Sequence, residues 1–272
     1  MSFLATLKCS VVPSGALAMG GWCGAYAALH QSVYYTSFLA APGGSTLLDS
    51  PHPKYFQSTL RRVTTARIMA FTHAVVSWVW SIRVLSGAWG TLRASRQGVS
   101  WASFVAYDFQ NTSDGLAFMR HSLGYFVQEF LYVAIHEPDP LYLAHHTLYL
   151  AATYPVAASG SGWPIIAIST TFAEFTNPIQ LLWEMTRVFG YDEAYARLSL
   201  PFTVAFTLCR GVLMPITLVD MANYLLKAPK SHPTLIYAWV LCLLGVTGSF
   251  LWLIQLVRGF LRFRRKKLSR KD

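Results

Sequence analysis

Long apolar runs alternate with short polar breaks along the chain, and the length of the runs decides the fold. A helix of about 20 apolar residues crosses a bilayer. Runs of that order occupy residues 14–40, 67–88, 116–135, 198–226 and 234–260, and residues 141–187 form two more on either side of the turn SGSGWP. The pattern predicts an all-α polytopic membrane bundle of about seven transmembrane helices. The breaks carry turn residues: Pro42 to Pro53, the less hydrophobic stretch 90–115, HEPDP at 136–140, GYDEAYAR at 190–197, and 227–233. Prolines in such breaks do not continue a helix. The organisation that follows is an N-terminal helix with its linker over 1–60, a main domain over 61–265 and a basic tail over 266–272. A signal-peptide reading of the first run is the alternative, with Lys8 as the charged flank, but the run exceeds the usual 7–15 or so apolar residues. Trp78, Trp80 and Trp89 suit an interfacial anchor at the far end of the second run, and Pro215 predicts a kink in the sixth.

Composition agrees with the pattern. Hydrophobic residues make up 54% of the 272, charged residues only 12%, and the mean hydropathy is +0.38; a soluble domain carries about 25% charged residues. The net charge of +10 is concentrated, because eight of the 22 Lys and Arg fall in the last fifteen residues. A basic cluster beside a span suits anionic headgroups on the cytoplasmic leaflet, so the tail is assigned to lipid and not to nucleic acid. With a cytoplasmic tail and seven spans, the linker with Lys54, Arg61 and Arg62 is cytoplasmic and the Asn111-Thr112-Ser113 sequon faces the lumen. The four cysteines, Cys9, Cys23, Cys209 and Cys242, stand singly in apolar runs and imply neither a disulfide framework nor a zinc site.

Ionisable groups inside apolar runs are expensive, which makes them candidates for a functional site. His145 and His146 open the first arm of the 141–187 hairpin, and Glu174 and Asn177 share a face of the second at i, i+3. At about 1.5 Å per residue, His145 lies roughly 24 Å and Glu174 roughly 20 Å from the turn, so they are level. Adjacent histidines diverge by about 100°, so one can react while the other positions. Pro140 places the pair in the first helical turn, where the dipole disfavours a charged ring; a neutral imidazole takes a proton or attacks an acyl carbonyl. Glu174 is expected to orient a histidine or, equally, to join an interhelical hydrogen bond. Pro178 has no N–H for the carbonyl of residue 174, which leaves an acceptor unpaired. His73, Glu129, Arg210 and Asp220 are also buried by their positions, and a Glu129–Arg210 ion pair is the economical arrangement. No boxed repeat of histidines and carboxylates suggests a metal.

The chain resembles the TLC-domain family, named for TRAM, Lag1 and CLN8 proteins, over about residues 61–265. RIMAFTHA with His73 is similar to the family's serine-histidine-alanine segment, and LGYFVQEF to GYF-x-x-D with Glu129 in place of aspartate. His145-His146 matches the double histidine, AEFTNP the E-x-(S/T)-x-P segment, FTLCRGVLMP the segment bearing Arg210, and SFLWLIQLVRG the closing helix. The resemblance implies a bundle of about seven helices around an acyl-chain cavity, usually in the endoplasmic reticulum. It makes His145 and His146 the catalytic candidates, and His73, Glu129, Glu174, Asn177, Pro178 and Arg210 the cavity and supporting residues. In the ceramide synthase branch the double histidine serves acyl transfer from CoA to a sphingoid base, with an HD-x-x-D segment that this chain lacks. The branch it is closer to is associated with membrane lipid homeostasis. Two readings follow. One is a protein that binds long-chain acyl lipids and sets membrane composition without a cofactor; the other is an acyltransferase with acyl-CoA as co-substrate.

Overall fold

Helix is the only regular structure among the described residues, as a membrane solvent demands of an open chain that must satisfy its own backbone groups. The structure, a computed structural model, describes residues 12–36, 53–94, 112–136, 139–160, 162–227 and 233–268. The elements are α1 (Val12–Thr36), α2 (Pro53–Ala94), α3 (Ser113–His136), α4 (Pro140–Ser159), α5 (Trp163–Val188), α6 (Asp192–Phe206), α7 (Met214–Lys227) and α8 (Pro233–Leu268). A π-helical segment, Thr207–Leu213, joins α6 to α7 without a break, so the described residues form seven rods, as the apolar runs predict. Thr64–Gly90, Asp192–Asn223 and Pro233–Gly259 are long and apolar enough to cross a membrane by length and composition. Only 11% of the best window of the last is buried within the protein, so its apolar side chains need a lipid solvent.

Two rods run past the predicted spans. α2 begins at Pro53, which takes the backbone of the basic stretch 54–62 out of the expected linker and into a helix of 42 residues, about 63 Å long. α8 continues to Leu268, so the tail begins as helix. The tryptophans of α2 are half-buried against protein: Trp80 packs edge-on to Trp22 and Phe118, Trp78 faces Phe175, and Trp89 lies against the core. The sequon at Asn111, Cys9 and residues 269–272 lie outside the described residues.

The hairpin forms where the sequence places it. Asp139 caps α4 by accepting from the N–H groups of Leu141 (2.8 Å) and Tyr142 (3.1 Å), with Pro140 in the first turn. Gly160 (φ 81°) and Gly162 (φ 96°) take left-handed conformations at the turn, which side chains with a Cβ disfavour. The two arms then part. α4 packs on α3 and α8, whereas α5 packs on α2 and α6, and they touch each other little. Toward the turn the space is filled by a dry core of Trp163, Phe118, Met119, Val156 and Ile168; toward the other end it stays open. α1 closes the flank, crossing α3 where Gly124 has no side chain: a Cβ there would lie 2.5 Å from Trp22 Cβ and 2.9 Å from Cys23 N.

Pro215 lies two residues beyond the end of the π-helical segment. There the Met214 N–H bonds the Cys209 carbonyl, five residues back. A π turn is an insertion of one residue into an α-helix, and it sits just before the position predicted to kink. It also swings Arg210 inward, leaving the residue only 5% exposed.

Candidate functional site

Between the parted arms lies a cavity of about 150 Å³. Its walls come from α2 to α5, the π-helical segment, α7 and α8, and they include every one of His73, Glu129, His145, His146, Glu174, Asn177 and Arg210. Along α4 the lining runs from Tyr142 to Thr153 and along α5 from Ile166 to Leu181, about 16 and 22 Å of helix. Arg67 of α2 and Gln180 of α5 line the end away from the turn. There the Arg67 guanidinium meets Glu184 at 3.0 Å, and Gln180 donates to the other Glu184 oxygen at 2.9 Å.

His146 is set by its own helix. Its Nδ1–H donates to the Tyr142 carbonyl one turn back (2.9 Å), and its Nε2 lies 3.1 Å from Glu129 Oε2. A carbonyl only accepts, so Nδ1 holds a proton, and the close approach of Nε2 to a carboxylate oxygen requires a further proton between them. Glu129 Oε1 meanwhile accepts from the Tyr142 hydroxyl at 2.9 Å, and the Tyr125 hydroxyl stands beside the same carboxylate. His146 is 2% and Glu129 7% exposed, so this proton is held away from water. The pair is not in the first turn of α4, as the sequence suggests, because Asp139 starts the helix earlier. His145 and His146 are its sixth and seventh residues, beyond the strongest influence of the dipole.

His145 points another way. Its ring packs near Phe126, His146 and Trp252 at centroid distances of 6.4, 5.6 and 5.8 Å. Neither of its nitrogens has a hydrogen-bond partner among the described residues. The divergence expected for neighbouring histidines therefore separates one anchored ring from one unengaged ring, both facing the cavity.

Glu174 belongs to a second chain of contacts. Asn177 Nδ2–H donates to Glu174 Oε2 (2.8 Å), and Asn177 Oδ1 accepts from Arg210 Nη2 (2.8 Å). The same Nη2 donates to the Ala173 carbonyl (3.0 Å), and Arg210 Nε–H to Thr176 Oγ1 (3.3 Å). The histidine nearest Glu174 is His73, with Nε2 3.8 Å from Oε1. His73 is stacked on Tyr125 at 3.6 Å and reaches Ser77 and, through Tyr26, His121.

Two expectations are corrected by this arrangement. The level placement of Glu174 and the double histidine does not make them hydrogen-bond partners, because the arms part and each turns to a different neighbour: Glu129 serves His146, and His73 stands by Glu174. Glu129 and Arg210 form no ion pair, since α3 delivers the first to α4 and the π segment delivers the second to α5. Pro178 lies within α5 as expected, and the carbonyl that receives the guanidinium is the neighbouring one, that of Ala173.

Sequence reasoning passed over Tyr125, Tyr142 and Tyr26. The first two carried a signal, since Tyr125 and Glu129 on α3, and Tyr142 and His146 on α4, are each i, i+4 pairs on one helix face. Tyr26 had none, because its role depends on where α1 crosses the bundle.

Seven helical rods among the described residues, three of them apolar and long enough to cross a membrane, packed around a buried polar cluster define an integral multi-pass membrane protein. The sequence profile of the TLC domain (TRAM, LAG1 and CLN8) matches residues 64–258, and the chain belongs to that family. No curated protein and no solved structure matches the chain.

Proposed function

We propose that the protein binds the acyl chain of a membrane lipid in this cavity and acts in membrane lipid homeostasis, at the endoplasmic reticulum with its C-terminus cytoplasmic. The observation that carries the reading is the length and character of the cavity. Its lining extends about 16–22 Å along α4 and α5, somewhat more than half of a hydrocarbon core of about 30 Å, and its volume of about 150 Å³ takes in part of a chain drawn from one leaflet, the rest staying in the bilayer. Apolar Ala152, Ile166 and Leu241 line it together with the polar groups, which suits a ligand with one apolar end and one polar end. Anionic lipids at the basic tail would hold the cytoplasmic end at the headgroup layer. The test is mass spectrometry of lipids that copurify with protein extracted in a non-lipidic polymer, followed by lipidomics of cells with and without the protein. Enrichment of acyl lipids over the bulk membrane is expected, reduced by Ile166→Trp, which fills the cavity; a bulk-like lipid profile unaffected by Ile166→Trp refutes it.

One observation favours acyl transfer as a second reading: the unengaged ring of His145 beside an anchored His146. In that chemistry a His145 nitrogen attacks the thioester carbonyl of an acyl-CoA, the C–S bond breaks, and CoA leaves as thiol with the ring proton. An amine or hydroxyl acceptor then takes the acyl group, restoring the imidazole. Release of free CoA thiol by the purified protein, lost in His145→Ala, is the expected result on this reading. Thiol release at the uncatalysed rate with every acceptor class excludes it.

A further inference from the structure

Arg210 has more donors than the protein uses. A guanidinium carries five N–H bonds. Nε–H is given to Thr176 Oγ1, and Nη2 serves both the Ala173 carbonyl and Asn177 Oδ1. Among the described residues Nη1 has no hydrogen-bond partner, although the side chain lines the cavity and the residue is only 5% exposed. The face of Phe206 lies 5.1 Å from the guanidinium carbon, which fixes the plane of the group without using a donor. An unused donor on a buried cation is costly unless something accepts from it.

We propose that Arg210 Nη1 is the receptor for an acyl oxygen of the ligand, so that the lipid is held by its carboxylate or ester carbonyl at the depth of Arg210 with its chain along α4 and α5. This rests on the lipid-binding reading above and names the ligand group that the site recognises. The neighbours make the cation available. Asn177 passes its hydrogen bond on to Glu174, so the guanidinium is compensated through an amide and not masked by a direct carboxylate contact. Two other carboxylates are already taken: Glu129 is engaged by Tyr142 and His146, and Glu184 lies at the far mouth with Arg67. A carbonyl oxygen matches Nη1 in geometry and polarity, and a carboxylate matches it in charge as well. The π-helical segment is what brings the group to this position.

The experiment compares three ligands of one chain length on the purified protein in nanodiscs: oleate, methyl oleate and oleyl methyl ether, each competing with a fluorescent fatty-acid probe. The ether keeps the chain and lacks the carbonyl. Methyl oleate, oleate or both are expected to bind about tenfold tighter than the ether, as one charge-assisted hydrogen bond provides, and the stronger of the two identifies the natural acyl group. Arg210→Met is expected to bring the three affinities together while the ether still binds as in the wild type. Should that variant not fold, Leu241→Trp, which narrows the cavity without touching Arg210, is expected to weaken all three equally and preserve their ratio. If the ether equals both acyl ligands on the wild-type protein, the inference is wrong and the lipid-binding reading stands. If none of the three displaces the probe, both fall.

Discussion

Glu129 is the residue on which the buried His146 depends most, and its removal gives the sharpest test of the site. Glu129→Ala strands the Tyr142 hydroxyl, which donates to it across 2.9 Å, and the Nε2 of His146, which loses its partner at 3.1 Å. Each buried polar group left unpaired costs about 1–3 kcal/mol, so the single change is expected to destabilise by about 2–6 kcal/mol. His146→Ala strands a carboxylate oxygen instead, at about 3–5 kcal/mol if the charge remains uncompensated. The double change removes both ends of the same bond and should cost less than the sum by about 1–3 kcal/mol. Glu129→Gln keeps an oxygen for Tyr142 and offers an N–H to Nε2, so it should recover most of the stability while removing the shared proton. The assay is equilibrium unfolding in mixed micelles, read by tryptophan fluorescence, on the four members of the cycle. A parallel cycle on Glu129 and Arg210, which share no partner, should be additive within about 0.5 kcal/mol. Additivity of Glu129 with His146, or strong coupling of Glu129 with Arg210, would refute this pairing of the buried groups.

Three further outcomes are expected. Gly124→Ala should destabilise by about 1–3 kcal/mol, because backbone and not only side-chain atoms of α1 must move to admit the methyl group; an unchanged melting temperature would mean that α1 does not cross there. Pro178→Ala should alter lipid binding more than thermal stability, because α2 and α6 hold the segment in place and Arg210 already engages Ala173; a variant that unfolds but keeps normal affinity while folded assigns the proline to folding alone. On sealed microsomes a tag after residue 272 should be cut by added protease while Asn111 acquires glycan, and a protected tag would invert the topology.

The bundle was legible because its cause is length: runs of apolar residues either reach across a bilayer or do not, and seven of them became seven rods. The site was legible as a set and not as a network. Burial cost alone marks His73, Glu129, His145, His146, Glu174 and Arg210, since an ionisable group in an apolar run has few places to go. Pairing was not legible, because depth along a helix says nothing of which neighbour the helix faces. Glu174 and His146 sit at similar depths on arms that part, and only the packing of α5 on α2 brings His73 to one and α3 brings Glu129 to the other. The π-helical segment left a trace in Pro215, but a proline announces a disturbance without giving its form.

That segment makes the sixth rod intolerant of changes in length. Loss of one residue anywhere within 207–213 would restore an unbroken α-helix and turn everything on one side of the cut by about 100° relative to the other. Either Arg210 would swing out toward lipid, or Leu218 and Met221 of α7 would leave the interior they now fill. A single-codon deletion here would thus act as a rotation and not as a shortening.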